Sequence, residues 1–216
     1  GIRCFESDIR PTERFLTERF ITSAANVVVD EANNIKLTHT EFYVDLNILS
    51  IDIETDYASN EIFSISFVSK NKNLTLMIGN GENTVLLNFV KSETKLLQKF
   101  IEWVEVIDPD VFIGWNVINF DFRFLQNKAD QLGIELRIGR EKTTPVWRKA
   151  KTDTEHYFLL IPGRVVLDGI DTLKSATYTF RSFALDAVAK ELLNREKLIQ
   201  NEKKNKDPLY KAKEIR

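Results

Sequence analysis

The 216 residues carry a formal net charge of -2, with 43% hydrophobic and 29% charged residues, one cysteine and two histidines. This composition excludes a disordered polar chain, a collagen-like or low-complexity chain, an intramolecular disulfide framework and a zinc site built on cysteines. No apolar run approaches the ~18 residues of a membrane span and no signal peptide opens the chain, so the expectation is a cytoplasmic protein without a membrane partner.

The charge is unevenly spread. From Leu136 to Lys151, Arg137, Arg140, Lys142, Arg148, Lys149 and Lys151 stand against Glu141, a local charge of +5. Residues 195–216 hold eight basic and four acidic side chains, leaving -11 on the rest of the chain. An acidic body with basic segments suits a site that holds cations beside a bound polyanion. Solvated loops and tails are also often Lys-rich without such a purpose.

In chain order, Pro11 to Phe20 reads as a short helix, followed by a hairpin with strands near 26–30 and 34–38 turning at Glu31-Ala32-Asn33. This strip is too small to bury its own core. Ile48–Glu54, Ile62–Val68 and Leu74–Ile78 predict an antiparallel meander, with a further strand at Val85–Val90. Ser92 is a candidate N-cap for an amphipathic helix over 93–107, on which Leu96, Leu97, Phe100, Ile101 and Val104 recur at helical spacing. Asp108-Pro109-Asp110 ends it, and Val111–Trp115 is a short buried strand leading to a second helix that Gly133 closes. After the basic loop, strands are expected at 157–162 and 164–167 around Gly163. A helix over Ser182–Leu193 follows, its apolar face made by Phe183, Ala184, Leu185, Val188, Leu192 and Leu193. Strands mixed with helices in this order predict an α/β fold, a mixed sheet with flanking helices.

The sharpest chemical feature is Ser50-Ile51-Asp52-Ile53-Glu54-Thr55. Asp and Glu are poor strand formers, yet period-two alternation puts Asp52 and Glu54 on one face of an apolar strand. They repel there unless water or a cation neutralises them, and a hard oxygen-seeking ion such as Mg²⁺ or Mn²⁺ suits carboxylate donors. The exposed face of an edge strand gives the same pattern. The second feature is Gly114-Trp115-Asn116-Val117-Ile118-Asn119-Phe120-Asp121, a buried strand ending in a polar turn that opens a helix. Asp121 near that helix start is favoured by the helix dipole and reads equally as a cap. Strand ends of mixed sheets commonly host ligand sites, so the two features together predict one shared site.

Asp52/Glu54 resemble the first exonuclease motif of family B DNA polymerases, and Gly114–Asp121, with Asn116, Phe120 and Asp121, resembles the second. Arg10-Pro11-Thr12-Glu13-Arg14-Phe15-Leu16 through Phe20-Ile21, Gly163–Ile170 and Ser182–Leu185 are similar to that family as well. The resemblance spans nearly the whole chain and implies a ribonuclease-H-like 3′→5′ exonuclease fold over residues 47–194. It also implies a small β-rich strip of the polymerase amino-terminal domain over 1–46, with 195–216 a basic polar tail. By resemblance, the parent enzyme combines template-directed DNA synthesis with two-metal proofreading hydrolysis and associates with the bacterial nucleoid. Its partners are then a single-stranded DNA 3′ end or primer–template DNA and the rest of the polymerase chain. Asp52 then bridges two Mg²⁺ or Mn²⁺ ions, Glu54 holds the one that activates water, and Asp121 supports the other. Thr55, Asn116 and Phe120 contact the substrate strand.

The basic loop with Trp147, through Arg148, Lys149 and Lys151, is a candidate track for a DNA backbone. Asp168 follows a strand and is read either as an acid approaching the metal site or as a buried hydrogen-bonding or helix-capping acid, with Asp171 nearby in sequence. The family's third motif, Tyr-x-x-x-Asp, is absent. Tyr210–Glu214 has the spacing in a polar tail, and Tyr57–Glu61 has it too early. The expectation is therefore a piece of a longer polypeptide, cut before its last catalytic helix and poorly active alone. The competing readings are a catalytically inert DNA-binding or scaffolding module and a stand-alone nuclease of the same fold.

Overall fold

The computed structural model describes residues 5, 8–56, 58–70, 72–151 and 156–195. The chain divides into two compact units, Gly1–Asp45 and Leu46–Arg216. In the first, helix α1 (Pro11–Thr17) starts on a proline, whose missing N–H is an orphan donor at that position anyway. It ends three residues earlier than the apolar pattern suggests, and Phe20 turns to φ 54°. Strands β1 (Ala24–Val29) and β2 (Ile35–Thr40) form the expected hairpin. Its turn is held by the Asp30 carboxylate, which accepts from the backbone N–H groups of Ala32 and Asn34 at 2.9 and 2.8 Å. Ile21 is the one buried side chain among the described residues of this unit, and Val27, Val28, Val29 and Ile35 are more than half exposed. A two-stranded ribbon has no second layer to bury them.

The second unit is built on a six-stranded sheet. Strands β3 (Ile48–Asp56), β4 (Glu61–Ser69) and β5 (Asn73–Ile78) form the antiparallel meander, and β6 (Leu87–Val90) adds to β5 in parallel. Helix α2 (Glu93–Ile107) then crosses to β7 (Val111–Gly114), which pairs in parallel with β3. Ser92 caps α2 by accepting from the Lys95 N–H, and Asp108 ends it in the left-handed region at φ 45°. Helix α3 (Arg123–Gln131) follows, and Gly133 at φ +67° closes it. Strands β8 (Val146–Lys149) and β9 (Tyr157–Leu160) make a separate hairpin, and β10 (Val165–Asp168) returns to the main sheet beside β7, giving the order β10-β7-β3-β4-β5-β6. The short helix α4 (Gly169–Ser175) and α5 (Leu185–Leu193) complete the unit.

The core lies where β3, β4 and β5 meet α2 and α3. Leu49, Ile51, Ile53, Ile65, Phe67, Leu76, Leu96, Leu97, Phe100, Phe112, Phe122 and Leu125 are all buried in one cluster. Two side-chain networks tie its edges. Buried Lys128 on α3 pairs with Glu93 at the start of α2 at 3.0 Å and also donates to the Asn60 carbonyl. Arg164 donates to the Ile138 carbonyl and to Asp108, whose carboxyl the Arg164 and Arg140 guanidinium groups hold below its ordinary range.

Two expectations are corrected, and one helix is added that none of them covered. The basic loop is partly a strand, β8, because Trp147 packs edge-on against Tyr157 of β9. The two strands expected around Gly163 are present as β9 and β10, and they lie in different sheets. A single bridge joins Ile161 to Arg164, and the chain passes there from one sheet to the other. The last helix starts at Leu185, and of its expected apolar face only Val188 is buried. Helix α4 has no hydrophobic period long enough to announce it.

Candidate active site

Strand β3 alternates as read. Leu49, Ile51 and Ile53 are buried in the core, while Asp52 and Glu54 lie exposed on the opposite face. Their cross-strand partners on β4 are Ser66 and Ser64, and a register shift between Glu54 and Thr55 kinks the strand just past the pair. Bulges of this kind re-aim side chains at sheet edges and sites.

From β7 the chain enters the second feature. Gly114 lets the turn come down on β3. A Cβ there would lie 2.8 Å from the Val117 side chain and 3.0 Å from the Ile51 carbonyl. Asn116 takes the left-handed conformation, φ 57°, and a π-helical turn over Val117–Phe122 leads into α3. Such widened turns are rare and concentrate at functional sites. The turn delivers Asp121 to β3. Its Oδ1 accepts at 3.0 Å from the backbone N–H of Ile53, the residue between Asp52 and Glu54.

Asp121 is not the exposed cap that a helix start suggests. It is 2% exposed, and burial first, then the Asp52 charge, pushes its carboxyl up to about 7, against the lowering effect of the Ile53 N–H. Desolvation outweighs the dipole here because the dipole term is worth at most about 2 kcal/mol. A place near a helix start does not by itself reveal this burial.

Asp168, at the end of β10, holds this turn from the other side. Its carboxylate accepts from three backbone N–H groups, those of Asn116 at 3.2 Å, Ile118 at 3.0 Å and Ile170 at 2.9 Å. It caps α4 and the π-helical turn at once, and its charge also raises Asp121. The capping reading accounts for this geometry. In the first turn of α4, Asp171 is pushed up by burial and by Asp168, and it lies 3.8 Å from the His156 ring.

The structure brings Asp52, Glu54 and Asp121 onto adjoining backbone. Asn116 and Phe120 are half-buried on the same turn, Phe120 at 6.5 Å from the Phe124 ring. Thr55 is half-buried just past the kink. Among the described residues no three His, Cys, Asp or Glu side chains are gathered into a group that could hold an ion as they stand. Arg148, Lys149 and Lys151 are exposed on and after β8. Tyr57 and Tyr210–Glu214 lie outside the described residues, as do 196–216 of the basic tail. Sequence reading missed the indole N–H of Trp115 donating to the Phe183 carbonyl at 2.9 Å, which ties the start of the turn to the segment before α5. It also missed the amide of Asn119.

A family model described as the DNA polymerase family B exonuclease domain matches residues 2–188. The chain belongs to this family. It is 40% identical over 211 residues to DNA polymerase II of Escherichia coli, covering 93% of this chain and 27% of that protein. It is 28% identical over 159 residues to a DNA polymerase of Thermococcus litoralis, covering 71% of this chain and 9% of that one. Among solved structures, the family B DNA polymerase from Pyrobaculum calidifontis covers 96% of this chain and 29% of its own at a TM-score of 0.60 and 18% identity. That likeness shows the fold, which is the mixed-sheet, ribonuclease-H-like architecture of the family B exonuclease domain. The chain therefore spans little more than a quarter of the Escherichia coli polymerase, and no helix among its described residues is long and apolar enough to cross a membrane.

Proposed function

We propose that this exonuclease domain hydrolyses DNA from the 3′ end, proofreading for a DNA polymerase of the polymerase II type. Residues 1–46 are then a strip of the polymerase amino-terminal domain and 47–194 the exonuclease domain. The observation that carries the reading is the buried Asp121 bonded to the backbone between Asp52 and Glu54. A buried carboxylate that also feels the negative charges of Asp52 and Asp168 is costly unless positive charge meets it.

The donor set fits Mg²⁺ or Mn²⁺, since all three side chains offer hard oxygen ligands and the raised Asp121 marks a place where a cation is favoured. Asp52, Glu54 and Asp121 would hold the two ions. When bound, the ions supply charge neutralisation at the phosphodiester and water that ionises near neutral pH. The protein residues do the rest. Asp121 must lose its proton to serve as a ligand. Asn116, fixed by the Asp168 contact to its N–H, offers its side-chain amide to the strand. Phe120 offers a ring face that accepts any base, as an editing site requires. Frayed, mismatched ends reach such a site more easily than paired ones.

The test is release of a 3′-terminal label from single-stranded DNA with Mg²⁺ or Mn²⁺. No Tyr-x-x-x-Asp occurs in the 216 residues, so the expected rate for this chain is low, because two ions need a fixed ligand geometry. Asp52→Ala should lower it by at least a further ~100-fold. DNA binding without metal-dependent release would favour the inert binding module of the same fold instead.

The exposed Arg148, Lys149 and Lys151 are proposed to contact the DNA backbone. Replacing all three with Gln should weaken single-strand binding and reduce the slope of log K against log salt by about 2. An unchanged slope removes these residues from the interface.

A further inference from the structure

We infer that Asn119 is a positioning residue that fastens the β8–β9 hairpin to the turn carrying Asp121, so that hairpin and carboxylate are placed together. The Asn119 amide is used twice. Its Oδ1 accepts from the backbone N–H of Tyr157 at 2.8 Å, and its Nδ2 lies 3.3 Å from Nδ1 of His156. With Nδ2 as the donor, His156 Nδ1 is the acceptor. The neutral ring then carries its proton on Nε2, toward the Asp171 carboxylate 3.8 Å away.

Three side chains on one stripe of the turn and α3 reach the hairpin. Asn119, Arg123 and Gln126 follow the spacing i, i+4, i+7, which shares one helical face. The Arg123 guanidinium lies 4.4 Å from the centre of the Tyr157 ring and 5.4 Å from that of Trp147, and Gln126 Oε1 accepts from the Trp147 indole N–H at 3.2 Å. The adjoining stripe, about a quarter-turn round the helix and made by Ile118, Phe122, Leu125 and Ala129, is buried in the core. The hairpin accordingly has an attached face and a free one, where Val146, Arg148, Phe158 and Leu160 are exposed and Arg148 lies over the Phe158 ring at 4.5 Å.

Asn119 differs from its two companions in what it grips and where it stands. It holds backbone, so its hold does not depend on the identity of residue 157. Its side chain is short, with two torsions, so a displacement of β9 is passed on rather than absorbed. It also stands two residues before Asp121 within the π-helical turn.

The inference rests on the reading of Asp121 as a cation ligand, and the test separates the two. In the full 216-residue chain, hydrogen exchange at the Tyr157 amide and Mn²⁺ binding by electron paramagnetic resonance are measured together. Asn119→Ala should speed Tyr157 exchange about tenfold and raise the Mn²⁺ dissociation constant about fivefold, the effect of one net hydrogen bond. Asn119→Asp keeps the acceptor and should restore Tyr157 protection and Mn²⁺ affinity. If the Ala variant does not fold, Asn119→Ser, whose hydroxyl is too short to reach Tyr157, takes its place. Faster exchange with unchanged Mn²⁺ affinity makes Asn119 a plain hairpin anchor and overturns the inference alone. Unchanged exchange overturns it at the first step. An unsubstituted chain that does not bind Mn²⁺ overturns the ligand reading of Asp121, and the inference with it.

Discussion

Asp121→Asn is expected to stabilise the metal-free protein at pH 8 while removing the metal-dependent activity proposed above. The Asp121 carboxyl titrates at about 7 in the fold, against 3.8 for an ordinary aspartate. Between these values the native protein holds a proton that the unfolded chain has released, so stability falls as pH rises through the window. The whole effect is on the order of 4 kcal/mol. The amide variant carries no charge at any pH and keeps an oxygen to accept from Ile53. Its extra N–H groups need partners, which returns about 1–2 kcal/mol of the gain. The net gain at pH 8 in chelator is therefore roughly 2–3 kcal/mol, or about 5–10 °C in melting temperature. It should vanish by pH 5, where the native Asp121 is protonated too. Mn²⁺ should raise the melting temperature of the unsubstituted protein and leave that of the variant nearly unchanged. Thermal melts at the two pH values, with and without metal, decide this. Equal melting temperatures at pH 8 in chelator would show that Asp121 carries no burial cost.

The second large effect is expected at Asp168. Asp168→Ala leaves the backbone N–H groups of Asn116, Ile118 and Ile170 without their acceptor in a site that is 3% exposed. At about 1–3 kcal/mol for each unsatisfied donor, with some relief from entering water, the loss is about 3–5 kcal/mol. Asp168→Asn keeps one oxygen acceptor and should lose less than half as much. It also removes a charge that raises Asp121, so Asp121 should titrate lower. Urea unfolding reads the first effect, and carbon NMR of the Asp121 carboxyl reads the second. A loss below about 1 kcal/mol in the Ala variant would mean that the π-helical turn holds itself.

Much of this was legible in the chain. Period-two alternation put Asp52 and Glu54 on one face because Leu49, Ile51 and Ile53 must enter the core. Ser92 and the spacing of Leu96, Leu97, Phe100 and Val104 set α2 because those signals are local. The basic segment was visible as charge, but not as a strand. Trp147 and Tyr157 meet only after about ten residues of chain fold back, and no local propensity records that. Helix α4 is short and exposed, so it carries no apolar period. Leu185, Leu192 and Leu193 follow the pattern of a buried face yet are largely exposed, because periodicity tells which residues share a face and not what covers it.

The same division runs through the site. By itself the sequence named the candidates for its chemistry: two carboxylates two residues apart on one strand face, and a polar turn ending in Asp121. Residue type and spacing are properties of the chain, and they survive any arrangement of the elements. Only the tertiary structure decided that Asp121 is buried against the Ile53 N–H and raised, not exposed at a helix start and lowered. It alone showed that Asp168 serves three backbone donors and that Asn119 grips a strand 38 residues away. Burial, desolvation and long-range hydrogen bonds arise from where β3, β7 and β10 come to lie side by side, and that juxtaposition is not a property of any one segment.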